Sequence, residues 1–385
     1  MVVLTGGGSG GHITPILAVA DELKRQRPNL EITYIGQRGD KLSDIPAQHP
    51  TIDRVYVVSA GKFRRYHGEG WRQLLDLPTI AKNLRDSFRV LAGIWQSYWL
   101  LRRLKPAGIF IKGGFVGVPI GLAAAMRHIP YITHDSDAVP GLANRIIARW
   151  AKVHAVALPK DTYNYPPDKT ITVGVPIATH YVATSDEQRA AYRRDIGLGD
   201  YKTIILVTGG GLGAQRLNEA VASIVPELLT AYPELAMVHV AGRDHETTMQ
   251  TTYKQLDPKQ QRRVVIKGFV ADLYRYSGAA DLIITRAGAT HLAEFAAQHK
   301  ACIIVPNPQL TGGHQVKNAS YLSAQQAAVI IAEETLKLDS TRLLQTIRRL
   351  LDDPAKRHEL GERLGHFALP DATQWLVKLI LQTVS

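Results

Sequence analysis

A short apolar strand that runs into a glycine-rich turn and then a helix occurs at the start of the chain and again in its second half. Residues 2–4 precede the turn Thr5–His12, and residues 204–207 precede the turn Thr208–Ala214; apolar residues at helical spacing follow both. Glycines in such a turn let the backbone approach a phosphate, whose charge is favoured by unpaired amides and by the helix dipole. The repetition therefore predicts two α/β domains, each with a phosphate-binding loop.

Further short apolar runs alternate with helical stretches through both halves. They lie at 32–35, 54–58, 108–111 and 131–133 in the first half and at 237–240, 264–266, 282–284 and 302–305 in the second. Strands that alternate with helices indicate parallel sheets covered by helices on both faces. A chain of 385 residues is also too long for one ordinary core. We predict domains over 1–163 and 164–369, and a last helix over 370–385.

The single cysteine and the lengths of the apolar stretches bear on the cellular setting. Cys302 lies in the apolar run 301–305, where a buried thiol is expected, and one cysteine cannot form an internal disulfide. The first residues do not resemble a signal peptide, and the apolar stretch 116–126 is shorter than the roughly 18 residues of a membrane-spanning helix. We therefore expect a protein of a reducing compartment that lies on the surface of any membrane it meets.

The net charge of +12 is concentrated in the first half of the chain. Residues 1–160 contain 22 Lys and Arg against 11 Asp and Glu, whereas the remainder contains 24 against 23. This excess predicts a polyanionic partner for the first domain: nucleic acid, anionic lipid head groups or a phosphorylated substrate.

Basic and aromatic residues are also mixed along one stretch of the first domain. It comprises Lys62–Tyr66, Trp71, Trp95, Tyr98–Trp99 and Arg102–Arg103. The stretch is either a solvated helix face above core aromatics or an interfacial docking patch. The charge asymmetry favours the docking patch.

A second candidate site follows the strand predicted at 282–284. Arg286–Gly288 form a turn after which helix amides and Thr290 would face a diphosphate. Glu294, further along the helix, could accept paired hydrogen bonds from ribose hydroxyls, although a solvated helix glutamate is the simpler alternative. The loop 306–313 then leads to a helix from His314 whose amides could face a sugar.

Two other chemistries are disfavoured at these loops. A nicotinamide-binding domain would need an acidic residue near the end of the second strand, where Ile35–Arg38 stands instead. Asp135 and Asp137 resemble the acidic pair that holds a metal ion in some glycosyltransferases, but such spacing is common by chance. A phosphate site in the second domain would also make the ion unnecessary.

Six ordered motifs resemble those of the MurG family, the bacterial enzymes that transfer N-acetylglucosamine from UDP-N-acetylglucosamine to undecaprenyl-diphospho-muramoyl-pentapeptide in peptidoglycan synthesis. The motifs are Gly7–His12, Lys112–Val116, His134–Asp137 with Pro140–Asn144, Gly209–Ala214, Arg286–Gly288 with Glu294, and His314–Gln315 with Asn318–Ala319. The resemblance covers nearly the whole chain. It implies a GT-B fold, in which two Rossmann-like domains face each other across a cleft and the final helix returns to the first domain.

The resemblance also implies which residues bind the two substrates. The acceptor would lie against Ser9, Gly10, Gly11, His12, Gly113, Gly114, Phe115, His134, Asp135, Asp137 and Asn144. The donor, UDP-N-acetylglucosamine, would lie against Gly210, Gly211, Leu212, Asn218, Val270, Arg286, Gly288, Ala289, Thr290, His291, Glu294, His314, Gln315 and Asn318. Within that set the Val270 backbone would meet uracil, Glu294 the ribose and Gln315 the sugar.

Further expectations concern cofactors and location. The resemblance implies no metal and no cofactor beyond the donor substrate, and no nucleic-acid partner. It implies a peripheral protein at the cytoplasmic face of the cell membrane, with the first domain on the anionic surface and an undecaprenyl-linked lipid as acceptor.

Three positions depart from the usual pattern of the family. The family commonly has serine at Gly211 and arginine at Ala178, so one diphosphate contact is missing or is supplied elsewhere. His134–Asp137 reads His-Asp-Ser-Asp where His-Glu-Gln-Asn is commoner, and a His-Glu-Ser-Asp form occurs in Gram-positive members. The acceptor peptide could differ accordingly.

The expected reaction is inverting, because the acceptor hydroxyl attacks the anomeric carbon from the face opposite UDP while a base takes its proton. His12 and Asp135 are the candidate bases. A histidine accepts a proton near neutral pH without a large change in pKa, which favours His12. The alternative role of His12 is to donate a hydrogen bond to the acceptor diphosphate.

Three alternative functions stay open at this point. They are a related transferase with a diacylglycerol-type acceptor, a non-hydrolysing UDP-N-acetylglucosamine 2-epimerase, and a catalytically silent nucleotide-sugar-binding membrane subunit. The basic aromatic stretch disfavours the epimerase, and the presence of both His12 and Glu294 disfavours the silent subunit.

Overall fold

The computed structural model describes residues 1–7, 10–40, 42–62, 77–210, 213–309 and 313–384. The chain forms two α/β units, one comprising Met1–Thr179, Gln309–His314 and Leu369–Ser385, and the other His180–Pro308 and Gln315–Ala368. Each unit is built on a parallel sheet. The predicted α/β class with two parallel sheets is confirmed.

The elements of both units follow the alternation expected from the sequence. The first unit contains strands β1 (Val2–Thr5), β2 (Ile32–Gln37), β3 (Arg54–Val58), β4 (Gly108–Ile111), β5 (Tyr131–Asp135), β6 (Val153–Val156) and β7 (Thr170–Thr172), and helices α1 (Gly10–Gln26), α2 (Asp44–Ala47), α3 (Leu77–Leu104), α4 (Gly117–Met126) and α5 (Leu142–Ile147). The second unit begins with α6 (Asp186–Asp195), β8 (Thr203–Thr208), α7 (Gln215–Ala231), β9 (Leu235–Val240), α8 (Glu246–Tyr253), α9 (Pro258–Gln261), β10 (Val264–Lys267), α10 (Leu273–Ala279) and β11 (Leu282–Thr285). It continues with α11 (Ala289–Ala297), β12 (Cys302–Ile304), α12 (His314–Ala324), β13 (Val329–Ile330), α13 (Glu333–Leu338), α14 (Thr341–Asp352) and α15 (Pro354–Gly365), and α16 (Ala372–Val384) closes the chain.

The strand order of each sheet places the two glycine-rich turns. The orders are β3-β2-β1-β4-β5-β6-β7 and β10-β9-β8-β11-β12-β13. Both orders reverse at the first strand of the sheet, between β1 and β4 and between β8 and β11. Loops that leave the carboxyl ends of two such strands diverge and open a crevice, which is where α/β sheets bind ligands. The turns after β1 and β8 lie at these two points.

The first unit reaches further along the chain than the boundary predicted at residue 163. Its sheet needs β7, which pairs with β6, and the following Ile177 is fixed to α16. The Thr373 hydroxyl accepts from the Ile177 amide at 3.1 Å and donates to the Ile177 carbonyl at 2.8 Å. Apolar residues of α16, among them Leu376 and Ile380, share one core with β1 and α1.

Cys302 and the apolar helices are the two features for which the apolar stretches of the sequence led to expectations. Cys302 is fully buried in β12, and burial raises the pKa of its thiol. Such a thiol is an inert part of the second unit's core. None of the described helices is both long and apolar enough to cross a membrane.

Candidate active site

Two glycine turns pack against each other at the reversal of the first sheet. A β-carbon on Gly114 would lie 2.6 Å from the Gly7 carbonyl oxygen, and one on Gly6 would lie 3.2 Å from the β-carbon of Lys112. Gly113 and Gly114 also adopt φ angles of 111° and 81°, which side chains rarely allow. Glycine is therefore required on both sides of this contact. α1 begins at Gly10, whereas Ser9 lies outside the described residues.

His12 lies beside these turns, in the first turn of α1. Its Nδ1 is 3.5 Å from the β-carbon position of Gly114, and its Nε2 is 3.8 Å from that of Gly113. Burial and the nearby Lys112 ammonium lower the pKa of His12 to about 4. The imidazole is therefore neutral near pH 7, as a general base must be. It is also a weaker base than an ordinary histidine, so the expectation that His12 accepts a proton without a large change in pKa was wrong.

Lys112 places a buried positive charge at the same turn. Its side chain follows β4 and is only 3% exposed, and Nζ donates to the Ser136 hydroxyl at 2.8 Å. Burial lowers the pKa of Lys112 to about 8, although Asp137 and Asp135 favour the ammonium. Lys112 belongs to the motif Lys112–Val116, but no role was predicted for it. Its position directly after an apolar strand and before two glycines was the available signal.

Asp135 and His134 end β5 as buried, hydrogen-bonded groups. Asp135 Oδ1 accepts from the Gly141 amide at 2.9 Å, and Oδ2 accepts from the Tyr165 hydroxyl at 2.8 Å. Burial raises the pKa of Asp135 and lowers that of His134, whose Nε2 donates to the Gly174 carbonyl at 2.8 Å. Both oxygens of Asp135 are therefore engaged by protein donors. Over the residues described, no three His, Cys, Asp or Glu side chains are grouped as a metal site.

Asn144 offers a buried acceptor next to the glycine turn. Its Nδ2 donates to the His134 carbonyl at 2.9 Å, and within the described part of the chain its Oδ1 has no hydrogen-bond partner. That oxygen lies 3.7 Å from the β-carbon position of Gly113. A hydroxyl group of a ligand would satisfy it. Of the other predicted acceptor residues, Gly11 is exposed, and Phe115 and Asp137 are half-buried.

In the second sheet, a glycine-rich turn likewise lies where the strand order reverses, between β8 and β11. Gly210 and Gly213 adopt φ angles of 90° and 76°, while Gly211 and Leu212 lie outside the described residues. A β-carbon on Gly210 would lie 4.0 Å from Cε1 of His291, so the turn after β8 and the start of α11 are neighbours. Gly288 caps α11 in extended conformation with no atom within 4 Å of its β-carbon position. The amides of Ala289 and the buried Thr290 follow directly.

Glu294 lies one turn further into α11 and is a buried carboxyl with one open oxygen. Its side chain is 4% exposed, and Oε2 is buried without a partner among the described residues. Burial raises the pKa of Glu294 to about 8. A buried acceptor left open is costly, so a ligand hydroxyl that fills it is strongly favoured.

Arg286 does not present a free guanidinium at this turn. Nη1 donates to the Val305 carbonyl at 3.0 Å, and Nη2 is paired with Oε1 of the buried Glu333. Glu333 Oε2 accepts from Arg216 Nη1 at 3.0 Å. Glu333 and Arg216 were not predicted, because a pair so distant in sequence leaves no local pattern.

The remaining residues predicted to bind the donor substrate hold loops in place or line them. Asn218 bonds the Ala241 carbonyl at 2.9 Å and His239 at 3.0 Å, and Asn318 donates to the Ala287 carbonyl at 3.0 Å. Gln315 Oε1 accepts from the Asn307 amide at 2.9 Å. Val270 and His314 are half-buried, the first just after β10 and the second at the start of α12.

Known proteins match this chain over its whole length. The sequence model of the glycosyltransferase family 28 N-terminal domain matches residues 2–156, and that of the family 28 C-terminal domain matches residues 204–374. The UDP-N-acetylglucosamine–N-acetylmuramyl-(pentapeptide) pyrophosphoryl-undecaprenol N-acetylglucosamine transferase of Moorella thermoacetica is 32% identical, covering 100% of this chain and 99% of that protein. The protein of that name from Listeria monocytogenes serovar 1/2a is 30% identical, with coverage of 99% and 98%.

A solved structure gives the same result for the fold. MurG of Acinetobacter baumannii has a TM-score of 0.68 and 26% sequence identity, and the match covers 99% of both chains. The parallel sheets with reversals between β1 and β4 and between β8 and β11 are therefore those of a GT-B glycosyltransferase. By full-length sequence identity and by fold, the chain belongs to the MurG family within glycosyltransferase family 28.

Proposed function

We propose that this protein transfers N-acetylglucosamine from UDP-N-acetylglucosamine to the 4-hydroxyl of undecaprenyl-diphospho-N-acetylmuramoyl-pentapeptide, with inversion at the anomeric carbon. The observation that carries the proposal is the match, over the whole chain, to transferases named for this reaction. The open Oε2 of Glu294 supports it, because a buried carboxyl of this kind fits a ribose hydroxyl.

His12 is the proposed general base. It is neutral near pH 7, and it stands at a turn whose other groups suit a phosphorylated ligand. As the 4-hydroxyl attacks, His12 would take its proton while the leaving diphosphate gains charge. The amides that open α11 would stabilise that charge, and no covalent enzyme intermediate is required.

Lys112 is the proposed cation for the acceptor diphosphate. Its ammonium is buried next to Gly113 and Gly114, whose backbone can approach a phosphate closely. Asn144 Oδ1 would accept a hydrogen bond from a sugar hydroxyl. Asp135 is proposed as a positioning residue for the loop that ends at Gly141.

Catalysis without a metal is also part of the proposal. Each oxygen of Asp135 already accepts a hydrogen bond, from Gly141 and from Tyr165, and among the described residues no three His, Cys, Asp or Glu side chains are grouped as a metal site. Turnover in EDTA should stay within about twofold of the untreated rate, whereas metal-dependent stabilisation of charge is worth several kcal/mol. Loss of most activity in EDTA, restored by Mg²⁺ or Mn²⁺, would revive Asp135 and Asp137 as ligands.

The proposed location is the cytoplasmic face of the cell membrane, which the protein meets through α3. One face of this helix exposes large apolar side chains at spacings of three and four residues, each between 42% and 68% exposed: Ile80, Leu84, Phe88, Leu91, Trp95 and Trp99. At 1.5 Å per residue this apolar stripe is about 29 Å long. Arg102 lies over the Trp99 ring at 4.9 Å, so cations border the stripe. Such a face fits a lipid interface.

The first predicted docking residues, 63–66 and 71, lie outside the described residues. The membrane contact is therefore argued only from the part of the basic and aromatic stretch that lies in α3. There Trp95 and Trp99 belong to the apolar stripe, and Arg102 borders it.

One assay tests the function and its alternatives together. Labelled UDP-N-acetylglucosamine is supplied with lipid-linked muramoyl-pentapeptide and with diacylglycerol, and the labelled lipid is identified. Label in the muramoyl lipid supports the proposal, and label in diacylglycerol selects the alternative acceptor. Conversion of the donor without labelled lipid indicates an epimerase, and UDP binding without any product indicates a silent subunit.

A further inference from the structure

A buried ion cluster connects the two turns of the second unit. Arg216 lies in the first turn of α7, directly after the turn 209–213, and Arg286 lies between β11 and Gly288. Glu333, the first residue of α13, is 2% exposed and bridges them: Oε1 is paired with Arg286 and Oε2 with Arg216. A single carboxylate on a third element thus fixes the relative position of both turns.

Stability alone does not account for this arrangement. Taking charges out of water offsets much of their attraction, and a well-packed apolar cluster often stabilises a fold equally well. A carboxylate that bonds two guanidiniums at once does have a geometric effect, because each bond restricts direction as well as distance. Arg286 is further restricted by the Val305 carbonyl at 3.0 Å. The cluster is therefore better suited to hold geometry than to add stability.

We propose that Glu333 is a positioning residue for the donor diphosphate, acting through Arg216 and Arg286. By tying the start of α7 to the turn before α11, it holds the amides that open α11 in place against the donor diphosphate. The inference rests on the proposed donor site, and it adds a residue from α13 that does not touch the substrate. Two arginines against one glutamate also leave an excess positive charge beside the turns.

The test measures the affinities of UDP and of uridine, which lacks the diphosphate, by ligand-observed NMR on the full-length protein. The variants are Arg216→Gln and Glu333→Gln, and the control is Arg348→Gln. Arg348 pairs with Glu227 of α7 at 2.8 Å, and its side chain is 37% exposed against 39% for Arg216. The control thus removes an equally exposed guanidinium and another ion pair of α7 that is remote from the turns.

We expect Arg216→Gln and Glu333→Gln each to weaken UDP about fivefold to tenfold, the scale of one ordinary net hydrogen bond, and to leave uridine unchanged. Arg348→Gln should change neither affinity. In turnover assays kcat/KM for the donor should fall by at least the same factor, because the amides that open α11 also stabilise the charge of the leaving diphosphate. Because each ratio of UDP to uridine affinity comes from one sample, partial unfolding of a variant does not alter it.

The Glu333→Gln variant distinguishes a positioning role of the two arginines from a purely electrostatic one. If the arginines acted only as charges, removing the negative Glu333 would tighten UDP, and that result would overturn the proposal. Equal losses of UDP and uridine affinity would also overturn it, because they indicate a general structural defect. If the parent protein itself binds UDP no more tightly than uridine, the diphosphate is not held here, and the proposed donor site fails along with the inference.

Discussion

In the first unit Asp135 is buried at the end of β5, and in the second unit Glu294 is buried on α11. Burial raises the pKa of both carboxyl groups. The two differ in their oxygens: those of Asp135 both accept from protein donors, whereas Oε2 of Glu294 has no partner within the described ranges. Burial and a raised pKa therefore do not distinguish the two carboxyls, whereas the open oxygen of Glu294 does.

The same difference extends to the surroundings of the two carboxyls. The first turn has a buried ammonium, Lys112, and a neutral imidazole, His12, which suit an anion and a proton transfer. The second turn has helix amides and an open carboxyl, which suit a phosphate and a sugar hydroxyl. Substitutions in the first unit should therefore affect chemistry, and those in the second should affect donor affinity.

The largest effect is expected at His12. His12→Ala should lower turnover by about 10²–10⁴-fold, because a positioned general base contributes a factor of this size, while UDP affinity stays unchanged. Turnover is measured with saturating donor and varied acceptor, and UDP affinity by calorimetry.

His12→Asn is the matched control, since it keeps a hydrogen-bonding side chain but cannot act as the base. The parent's kcat/KM for the acceptor should fall as the pH drops through about 4, where His12 takes a proton. Should His12→Asn keep turnover within a few-fold with this acid limb intact, His12 only binds the acceptor diphosphate.

The next largest effect is expected at Glu294. Glu294→Ala should weaken UDP by about 2–3 kcal/mol, the scale of lost charge-assisted hydrogen bonds. Asp135→Asn should leave UDP affinity unchanged and lower the free energy of unfolding by about 1–3 kcal/mol, because an amide cannot accept equally well from both Gly141 and Tyr165. Calorimetric titration and urea unfolding measure the two quantities. A loss of UDP affinity in Asp135→Asn, or none in Glu294→Ala, would remove the functional difference between the two carboxyls.

Most of the fold could be predicted from local pattern, and the missed strands show where that pattern fails. The ten predicted strands are all present, but β6, β7 and β13 were missed. β6 has the polar His154 at its centre, buried because its Nδ1 bonds Thr133 of β5 at 2.8 Å and its ring stacks on Tyr165. β7 and β13 are edge strands of three and two residues, too short for a detectable period.

The loops of the candidate site could be predicted from the sequence, but its hydrogen bonds could not. Glycine spacing after β1 and β8 is local, so the sequence alone locates both turns. The hydrogen bond to Asp135 Oδ2 comes from Tyr165, which is 30 residues away, and Arg286 is paired with Glu333, which is 47 residues away. Such pairings arise from tertiary packing, and no single-sequence pattern carries them.

A smaller effect concerns the apolar stripe of α3, which belongs to the first unit alone. Trp95→Ser should weaken binding to anionic vesicles about tenfold, because the indole of Trp95 would no longer be buried in the interface. Trp375→Ser on α16 is the control, since Trp375 is also exposed, at 49% against 68% for Trp95, but lies outside the stripe. Co-sedimentation with vesicles at constant salt measures both. Equal binding of the two variants would make the stripe an ordinary surface.

The smallest expected effect is a dependence of UDP affinity on pH that belongs to Glu294. Burial raises the pKa of this carboxyl to about 8, so the group gains its negative charge as the pH rises through that value. The ionised form accepts hydrogen bonds from ribose hydroxyls more strongly than the protonated form, so UDP affinity should rise with pH in the same range. Since the protonated carboxyl still accepts one bond, the gain from pH 7 to pH 9 should stay below about tenfold. Calorimetry at constant ionic strength measures it, and Glu294→Gln, which has no titrating carboxyl, subtracts the titration of UDP itself. A parallel pH profile in the parent and in Glu294→Gln would show that the open carboxyl of the second unit does not meet the nucleotide, and the contrast with Asp135 would lose its functional meaning.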